Sequence, residues 1–409
     1  MAIKSNIIVG LDVGTSAIKV AVGEVSSEGT VNLIGVGVSP SKGLRKGVVI
    51  NIELTVDAIS KAIAQAETMA GTRIQSVFAS LSGSHIKGLN SHGIVAIRSK
   101  EVSPFDVEKV IEAAKAVAIP LDREILHVLP QEFIIDEQDG IKDPLGISGV
   151  RLEARVHIVT GAVASAQNIV KCANRCGLAV RDVVFSALAS GRGVLAPEEQ
   201  ELGVCVVDIG GGTSDLAVFH GGAIKYTSVV PVGGNHITTD IAAGLHTPVA
   251  AAEDIKCRYG SALGESENTR EMSIEVPSTG DRASRTISRR ALSEIIEARV
   301  QEIFSLVQRD IARAGVGDLI GSGYVLTGGA AGLKGMQRLA ESSFRLPVRI
   351  GTPRGVTGLT DLVAGSEYGT AVGLVVHGAV SQATYRASGK GGPLSRGLRR
   401  VGSWFAEHF

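Results

Sequence analysis

Two aspartates stand at matching places in the two halves of this 409-residue chain. Asp12 closes an apolar run in IIVGLDVGTSAIKVAV (Ile7–Val22), and Asp208 closes another in VCVVDIGGGTSDLAVF (Val204–Phe219). Each leads through glycine into Thr-Ser and then back to apolar residues. The first stretch has Gly14, Thr15 and Ser16, and the second has Gly210, Gly211, Gly212 and Thr213. Glycines let the backbone come close to a ligand, so successive N–H groups can converge on an anion. A carboxylate would repel a bare phosphate, and a Mg²⁺ between them, held through water, reconciles the two. These residues suit a Mg-nucleotide phosphate clamp. It is not a P-loop, because no Gly-Lys-Ser/Thr follows and no helix opens there. One such stretch alone reads equally as an ordinary glycine-rich hairpin. Two copies point to a duplicated α/β unit with a nucleotide between its halves, each half giving one loop and one carboxylate.

The flanking runs of four or five apolar residues predict two strands joined by a tight turn at each site. After the first hairpin, Val31–Val38 and Gly47–Ile52 read as strands, Glu53–Ala70 as an amphipathic helix and Ile74–Leu81 as a further strand. The texture changes over Gly83–Ala162. There Val95–Ile97, Ile125–Leu129 and Leu152–Val159 predict strands and Pro104–Ala118 a helix, with Asp136–Gly149 as loop: a small inserted α+β module. The lobe pattern resumes with helix Ser165–Cys176, strand Val180–Phe185 and helix Ala187–Leu195. Beyond the second hairpin come helices Val249–Tyr259 and Ser288–Ala314, with polar Leu263–Arg285 around a short strand, Met272–Val276. Strand Tyr324–Leu326 then runs into TGGAAGLKG (Thr327–Gly335), followed by a helix from about Lys334. Glu367–His377 reads as a closing helix whose Gly369, Ala371 and Gly373 permit close packing.

Lysine plus arginine equals aspartate plus glutamate at 41 each, so composition gives no footprint for nucleic acid. Cys172, Cys176, Cys205 and Cys257 form no CxxC or zinc pattern and read as reduced thiols, which makes a cytosolic protein the simplest reading. The first residues look like the first hairpin rather than a signal peptide, and no apolar run reaches about 18 residues.

The order Asp12 hairpin, Asp208 hairpin, TGGAA loop and EYGTAVGL helix resembles the actin, Hsp70 and sugar-kinase superfamily. Within it, LHVLPQEFIID (Leu126–Asp136), GIKDPLGISGVRLEARVHIVT (Gly140–Thr160) and RIGTPRGVTGLTD (Arg349–Asp361) resemble the FtsA family of bacterial cell-division proteins over essentially the full length. The resemblance implies a two-lobed actin-like ATPase fold with duplicated ribonuclease-H-like cores. Residues 1–83, 163–200 and 363–386 would form the first core, 84–162 the inserted subdomain, 201–240 and 319–362 the second core, and 241–318 its small subdomain. ATP and Mg²⁺ would lie between the lobes, with Gly14, Thr15, Ser16 and Lys19 on the phosphates from one side and Gly210–Thr213 from the other. Asp12 and Asp208 would govern the metal, and Gly328, Gly329 and Ala330 would border the adenosine. Glu253 and Lys256, three apart on one helical face, match ribose and adenine contacts, though they read equally as a surface ion pair. Actin and Hsp70 carry Gln or Glu at the strand-to-helix junction before the second hairpin, to position the attacking water. VVFSALASGR (Val183–Arg192) has neither, which implies ATP binding with slow hydrolysis at most.

The family is understood to form actin-like filaments, bind the C-terminal tail of the tubulin homologue FtsZ and tether the division ring to the inner membrane, where later division proteins join. The resemblance puts the FtsZ contact on the second lobe's small subdomain, where helix Ser288–Ala314 would expose Arg289, Arg290, Arg299 and Glu302 to an acidic tail. The chain's own end fits a membrane role. Residues 387–393 (ASGKGGP) predict a flexible linker. In LSRGLRRVGSWFAEHF (394–409), Leu394, Leu398, Val401, Trp404, Phe405 and Phe409 fall in an arc of about 140°, opposite Arg396, Arg399 and Arg400. A helix of about 24 Å with three arginines is too short and too charged to span a bilayer, but it suits an anionic lipid interface. The expected location is thus peripheral, on the cytoplasmic face at the division site. Two other readings stand beside this one: a pilus-assembly protein of the PilM type, which shares the fold and the insert but needs no tail of its own, and a small-metabolite kinase, for which no acceptor-side base is visible.

Overall fold

The computed structural model describes residues 6–264, 273–279 and 283–387. The lipid-facing helix expected from Leu394 to Phe409 and the rest of its linker lie outside them. Strands β1 (Ile7–Val13) and β2 (Ala17–Val25) pair antiparallel with Asp12 opposite Lys19 and Val13 opposite Ile18, so Gly14, Thr15 and Ser16 make the turn. β3 (Val31–Pro40) continues the meander. Residues 47–52 depart from the strand expected there. They hold half of a small hairpin, β4 (Leu44–Arg45) with β5 (Val48–Val49), and then Asn51, whose side chain accepts from the Leu54 N–H and caps helix α1 (Ile52–Ala70). A short capping side chain inside an apolar run overrides strand propensity. α1 buries Ala58, Ile59, Ala62, Ile63 and Ala66, and a Cβ on Gly37 of β3 would stand 1.9 Å from the Ala62 carbonyl oxygen. β6 (Ser76–Leu81) lies parallel to β1.

The inserted module forms its own four-stranded antiparallel sheet, in the order β7 (Lys87–Ala96), β10 (Arg151–Ala162), β8 (Arg123–Ile135), β9 (Gln138–Ile141). Helix α2 (Pro104–Lys115) covers one face, started by a reciprocal Ser103–Asp106 capping box. Val107, Val110, Phe133, Leu152, Val156 and Ile158 make its core. The sequence reading shortened β7 to three residues and left β9 in a loop. Both carry mostly exposed or half-buried side chains, so neither shows a strong apolar period.

The chain returns to the first lobe through α3 (Val163–Arg175), β11 (Ala179–Phe185) and α4 (Ser186–Val194), then crosses by α5 (Pro197–Leu202). β12 (Val204–Ile209), β13 (Ser214–His220) and β14 (Ala223–Val230) repeat the opening meander. α6 (Gly234–Gly244), α7 (Val249–Tyr259), the hairpin β15 (Ser273–Val276) with β16 (Arg285–Ser288), and α8 (Arg289–Ala314) follow. β17 (Tyr324–Thr327), α9 (Met336–Phe344), β18 (Val348–Ile350), β19 (Val356–Gly358) and α10 (Gly369–Ala387) complete the described chain. Ser366–Tyr368 is a 3₁₀ turn, so the closing helix starts at Gly369, and it runs on to Ala387, one residue into the expected linker.

The duplication is visible in the pairing. One sheet runs β11-β6-β1-β2-β3-β19 and the other β14-β13-β12-β17-β18. In each, a hairpin has a parallel strand beside its first member: β6 beside β1, and β17 beside β12. β12 is buried on both faces, with Val204 and Val206 in the apolar cluster shared with the first lobe and Cys205, Val207 and Ile209 in the second lobe's own. Helices α4 and α10 cross between the sheets, where a Cβ on Gly373 would stand 1.7 Å from the Ala189 carbonyl oxygen. Gly373→Leu would force these helices apart at a cost of several kcal/mol, on the order of other overpacked cores.

Candidate functional site

The two hairpin turns face each other across a cleft of about 390 Å³, within the range of small-ligand sites. Every residue expected to touch nucleotide or metal lines it: Asp12, Gly14, Thr15, Ser16 and Lys19; Asp208, Gly210, Gly211, Gly212 and Thr213; Glu253 and Lys256; Gly328, Gly329 and Ala330. A larger groove of about 790 Å³ between β8, α3 and β11 contains none of them. The turns nearly touch. A Cβ on Gly211 would meet the Ser16 hydroxyl oxygen at 2.0 Å, and one on Gly212 would meet the Thr15 hydroxyl oxygen at 2.8 Å. Gly328 has φ of 85° and lies where a Cβ would be 2.4 Å from Asp208 Oδ1, so both conformation and space require glycine.

Charge at the cleft floor is unbalanced. Asp12 is half-buried. It accepts from the Ser80 hydroxyl at 2.9 Å and faces Lys19; burial raises its pKa, and Lys19 and the Ser80 bond oppose the rise. Asp208 accepts from the Thr370 hydroxyl at 2.6 Å, and burial, aided by the nearby charge of Asp12, pushes its pKa up to about 6. Asp215, opposite Asp208 on β13, is raised well above the carboxylate range, by burial first and by the Asp208 charge second. It accepts from Ser82 at 2.7 Å. Among the described residues, no group of three or more His, Cys, Asp or Glu is arranged to hold a metal by itself. An all-oxygen floor with excess negative charge suits a hard cation that brings its own waters and phosphate ligands.

Four contributors lay outside the sequence reading. Ser82, Asp215, Asn235 and Thr370 all line the cleft. Ser82 and Asn235 carry no motif signal, because they matter through bonds between lobes: Ser82 to Asp215 and Thr213, and Ser16 to Asn235 at 3.0 Å. Asp215 was visible in the second stretch, and its pairing opposite Asp208 follows from hairpin register.

Glu253 and Lys256 are both things the sequence allowed. They pair at 2.7 Å, and they also face the cleft, where Lys256 donates to Thr238 Oγ1 at 2.8 Å and to the Gly234 carbonyl at 3.3 Å. The junction before the second hairpin places Ser186 on the cleft, and Val183–Arg192 brings no carboxylate or amide side chain to it.

The expected basic face of α8 is altered by the structure. Arg299 is only about a quarter exposed and is held by Asp240 and Glu302, so it does not present a free charge. Arg290 pairs with Glu294 at 2.8 Å, and Arg289 donates to the Tyr259 carbonyl at 2.9 Å. Ser288 is the helix cap, and Val300 and Phe304 join the inward face.

Comparison with known proteins matches this architecture. Residues 205–373 match the family model "Cell division protein FtsA", and residues 83–160 match "SHS2 domain inserted in FTSA". The chain is 50% identical to the cell division protein FtsA of Pseudomonas aeruginosa over 98% of both chains. It is 46% identical to that of Escherichia coli K12, over 97% of this chain and 95% of the relative. Among solved structures, the PilM-PilN type IV pilus biogenesis complex aligns with TM-score 0.65 at 18% identity, covering 91% of this chain and 98% of that one. MreB5 of Spiroplasma citri bound to ADP aligns with TM-score 0.55 at 16% identity, covering 94% and 99%. The structural likeness establishes an actin-like fold with an inserted subdomain; the sequence likeness, running almost end to end, shows that this cell-division protein belongs to the FtsA family.

Proposed function

We propose that the cleft binds Mg-ATP and that the bound nucleotide holds the two lobes in register for self-association rather than serving rapid turnover. The supporting observation is the convergence of both glycine turns, Lys19, the half-buried Asp12 and the buried Asp208 and Asp215 on one cavity of nucleotide size. Related folds crystallised with ADP and with AMPPNP agree with it. Gly14, Thr15, Ser16, Lys19 and Gly210–Thr213 cradle the phosphates. Asp12 and Asp208 hold Mg²⁺ through water. Glu253, Lys256, Gly328, Gly329 and Ala330 border the adenosine. When bound, Mg²⁺ neutralises phosphate charge, and this chain's contribution is to orient the phosphates and exclude water. With no amide or carboxylate from Val183–Arg192 on the cleft, hydrolysis is slow at most.

On this reading the protein polymerises on the cytoplasmic face of the inner membrane, docks through residues 394–409, for which the sequence predicts an amphipathic helix, binds the FtsZ tail and recruits later division proteins. Among the described residues no helix is long and apolar enough to cross a membrane. The FtsZ contact is proposed for the small subdomain around α8, with Arg289, Arg290 and Arg299 as its candidate residues, each already engaged within the fold. Co-sedimentation of FtsZ polymers with anionic liposomes tests the whole reading. Recruitment should need both this protein and residues 394–409, and recruitment by a chain cut after residue 393 overturns the anchor. The PilM likeness supports a shared fold at 18% identity, against 50% over nearly the full chain for FtsA.

A further inference from the structure

The inserted module belongs to the first lobe by chain connection: it leaves β6 after Leu81 and returns into α3. It nevertheless lies against the edge strand of the second lobe's sheet, β14. At the centre of that contact is His157 on β10, which is 1% exposed. Its Nδ1 is 2.6 Å from Asn90 Oδ1, and its Nε2 is 2.8 Å from the Thr227 hydroxyl on β14. An amide oxygen only accepts, so Nδ1 carries the proton and Nε2 accepts from Thr227. Burial lowers the imidazole pKa to about 4, which keeps it neutral in this role. Two further bonds cross in the same place: Gln131 Nε2 to the Ile224 carbonyl at 2.7 Å, and Asn90 Nδ2 to the Lys225 carbonyl at 3.4 Å. An exposed Lys142–Glu201 ion pair sits at the rim. β7 passes so close over the histidine that a Cβ on Gly88 would lie 2.4 Å from the Thr227 hydroxyl oxygen and 2.7 Å from His157 Nε2.

Both sides of this contact lead within a few residues to the same spot in the cleft. On β14, Thr227 is two residues from Val229, which pairs with Asp215 beside the second turn. On the insert, Gly88 is six residues beyond Ser82, which donates to that same Asp215. Any change in lobe angle that moves Ser82 relative to Asp215 must therefore also move the insert relative to β14. Oriented hydrogen bonds with fixed partners resist a small slide more sharply than apolar surface does, since each loses its strength with angle. A broken bond here leaves a buried polar group unpaired.

We infer that the inserted subdomain is a hydrogen-bonded latch across the two lobes, seated on β14 through His157, Asn90 and Gln131, and that it seats or releases with the nucleotide state of the cleft. This rests on the nucleotide reading above. The outer surface of the subdomain then presents itself to partners differently in each state, and by reciprocity the latch contributes to nucleotide affinity.

Hydrogen exchange of the full chain without nucleotide, with Mg-ADP and with Mg-ATP tests the latch. Amides of residues 210–213 report whether the cleft is filled, and amides of β7 and β14 report the latch. The expected result is protection in the cleft, with exchange in β7 and β14 that differs about fivefold or more between states. Gly88→Ala, a wedge that removes no bonding group, should leave β7 and β14 fast-exchanging in every state and shift nucleotide Kd by a similar factor. Thr227→Val keeps the side-chain shape and removes only the hydroxyl, so it carries the same test if the wedge fails to fold. Cleft protection with unchanged exchange in β7 and β14, or variants with wild-type Kd, overturns the latch and leaves the nucleotide reading standing. No cleft protection with either nucleotide overturns both.

Discussion

The two glycine turns are copies in backbone and opposites in charge. In the first hairpin the residue paired across from Asp12 is Lys19; in the second, the residue paired across from Asp208 is Asp215. One copy carries its own counter-charge, and the other adds a second buried carboxylate. The pKa directions follow: Lys19 opposes the rise at Asp12, whereas the Asp208 charge adds to the rise that burial gives Asp215. Duplication accounts for the geometry of a clamp, and the divergence at one register position divides the labour. On the nucleotide reading, the first turn is a cation-bearing phosphate cradle. The second is an electron-rich wall that a bound cation would complete.

The most direct way to break that division is to make the first hairpin like the second. Lys19→Glu puts a further carboxylate beside Asp12 and removes the opposing charge. Hydrogen bonds to charged groups contribute about 1.5–3 kcal/mol, and reversing the sign adds repulsion to that loss, so nucleotide affinity should fall on the order of a hundredfold. Equilibrium titration with a fluorescent ATP analogue measures it. Lys19→Gln should lose less, and equal losses for the two variants would mean that the charge at this position is not what matters.

Making the second hairpin neutral sharpens the contrast. Asp208→Asn keeps the Thr370 partner and removes a charge whose burial is opposed by that bond, by the charge of Lys19 and by a bond to Ser190. Nucleotide binding should then lose most of its Mg²⁺ dependence, with affinity at millimolar Mg²⁺ down about tenfold. The nucleotide-free protein should melt higher by about 2–4 °C at pH 8, because a buried charge is gone. A lower melting temperature would show that the wall is not electrostatically strained.

The same asymmetry has a pH signature. The folded pKa of Asp208, about 6, lies above its unfolded value. The folded state therefore holds the proton more tightly through the window between about 4 and 6, and the group's contribution favours folding below that window and is lost as pH rises through it. Mg²⁺ needs the carboxylate, so binding runs the other way: the gain in affinity from Mg²⁺ should fall as pH drops from 7.5 to 5, with a midpoint near 6. Calorimetric titration across that range checks it, and a flat Mg²⁺ effect down to pH 5 would remove Asp208 from the metal's surroundings.

Much of this site is written locally. A strand, an aspartate and a glycine turn occupy about a dozen consecutive residues, so both copies, and the fact that they are copies, can be read before folding. Bonds made across the cleft cannot. Ser82 follows an unremarkable strand, and only the approach of the lobes brings it to Asp215. Thr370 lies in a helix read for its small residues, yet its hydroxyl is what meets Asp208. β7 escaped because KGLNSHGIVA buries little on either face, its pairing being set by β10 rather than by its own pattern. Asn51 ended a strand that hydrophobicity alone would have extended. Arg299 looked like an open cation because Asp240, which neutralises it, is on another helix.

The finest test compares the hydroxyls behind the two aspartates. Thr370 donates to Asp208 at 2.6 Å, and Ser80 donates to Asp12 at 2.9 Å. Hydrogen bonds to charged groups contribute about 1.5–3 kcal/mol, which is one to two pH units of preference for the carboxylate. In Thr370→Val the shape is retained and the donor lost, so Asp208 should hold its proton to higher pH and the midpoint of the Mg²⁺ effect should rise by about one unit. Ser80→Ala should move that midpoint less, because Lys19 still favours ionised Asp12. Shifts of equal size from both variants would mean that Lys19 has no special hold on the first copy, and the division of labour between the turns would fail at its smallest measurable term.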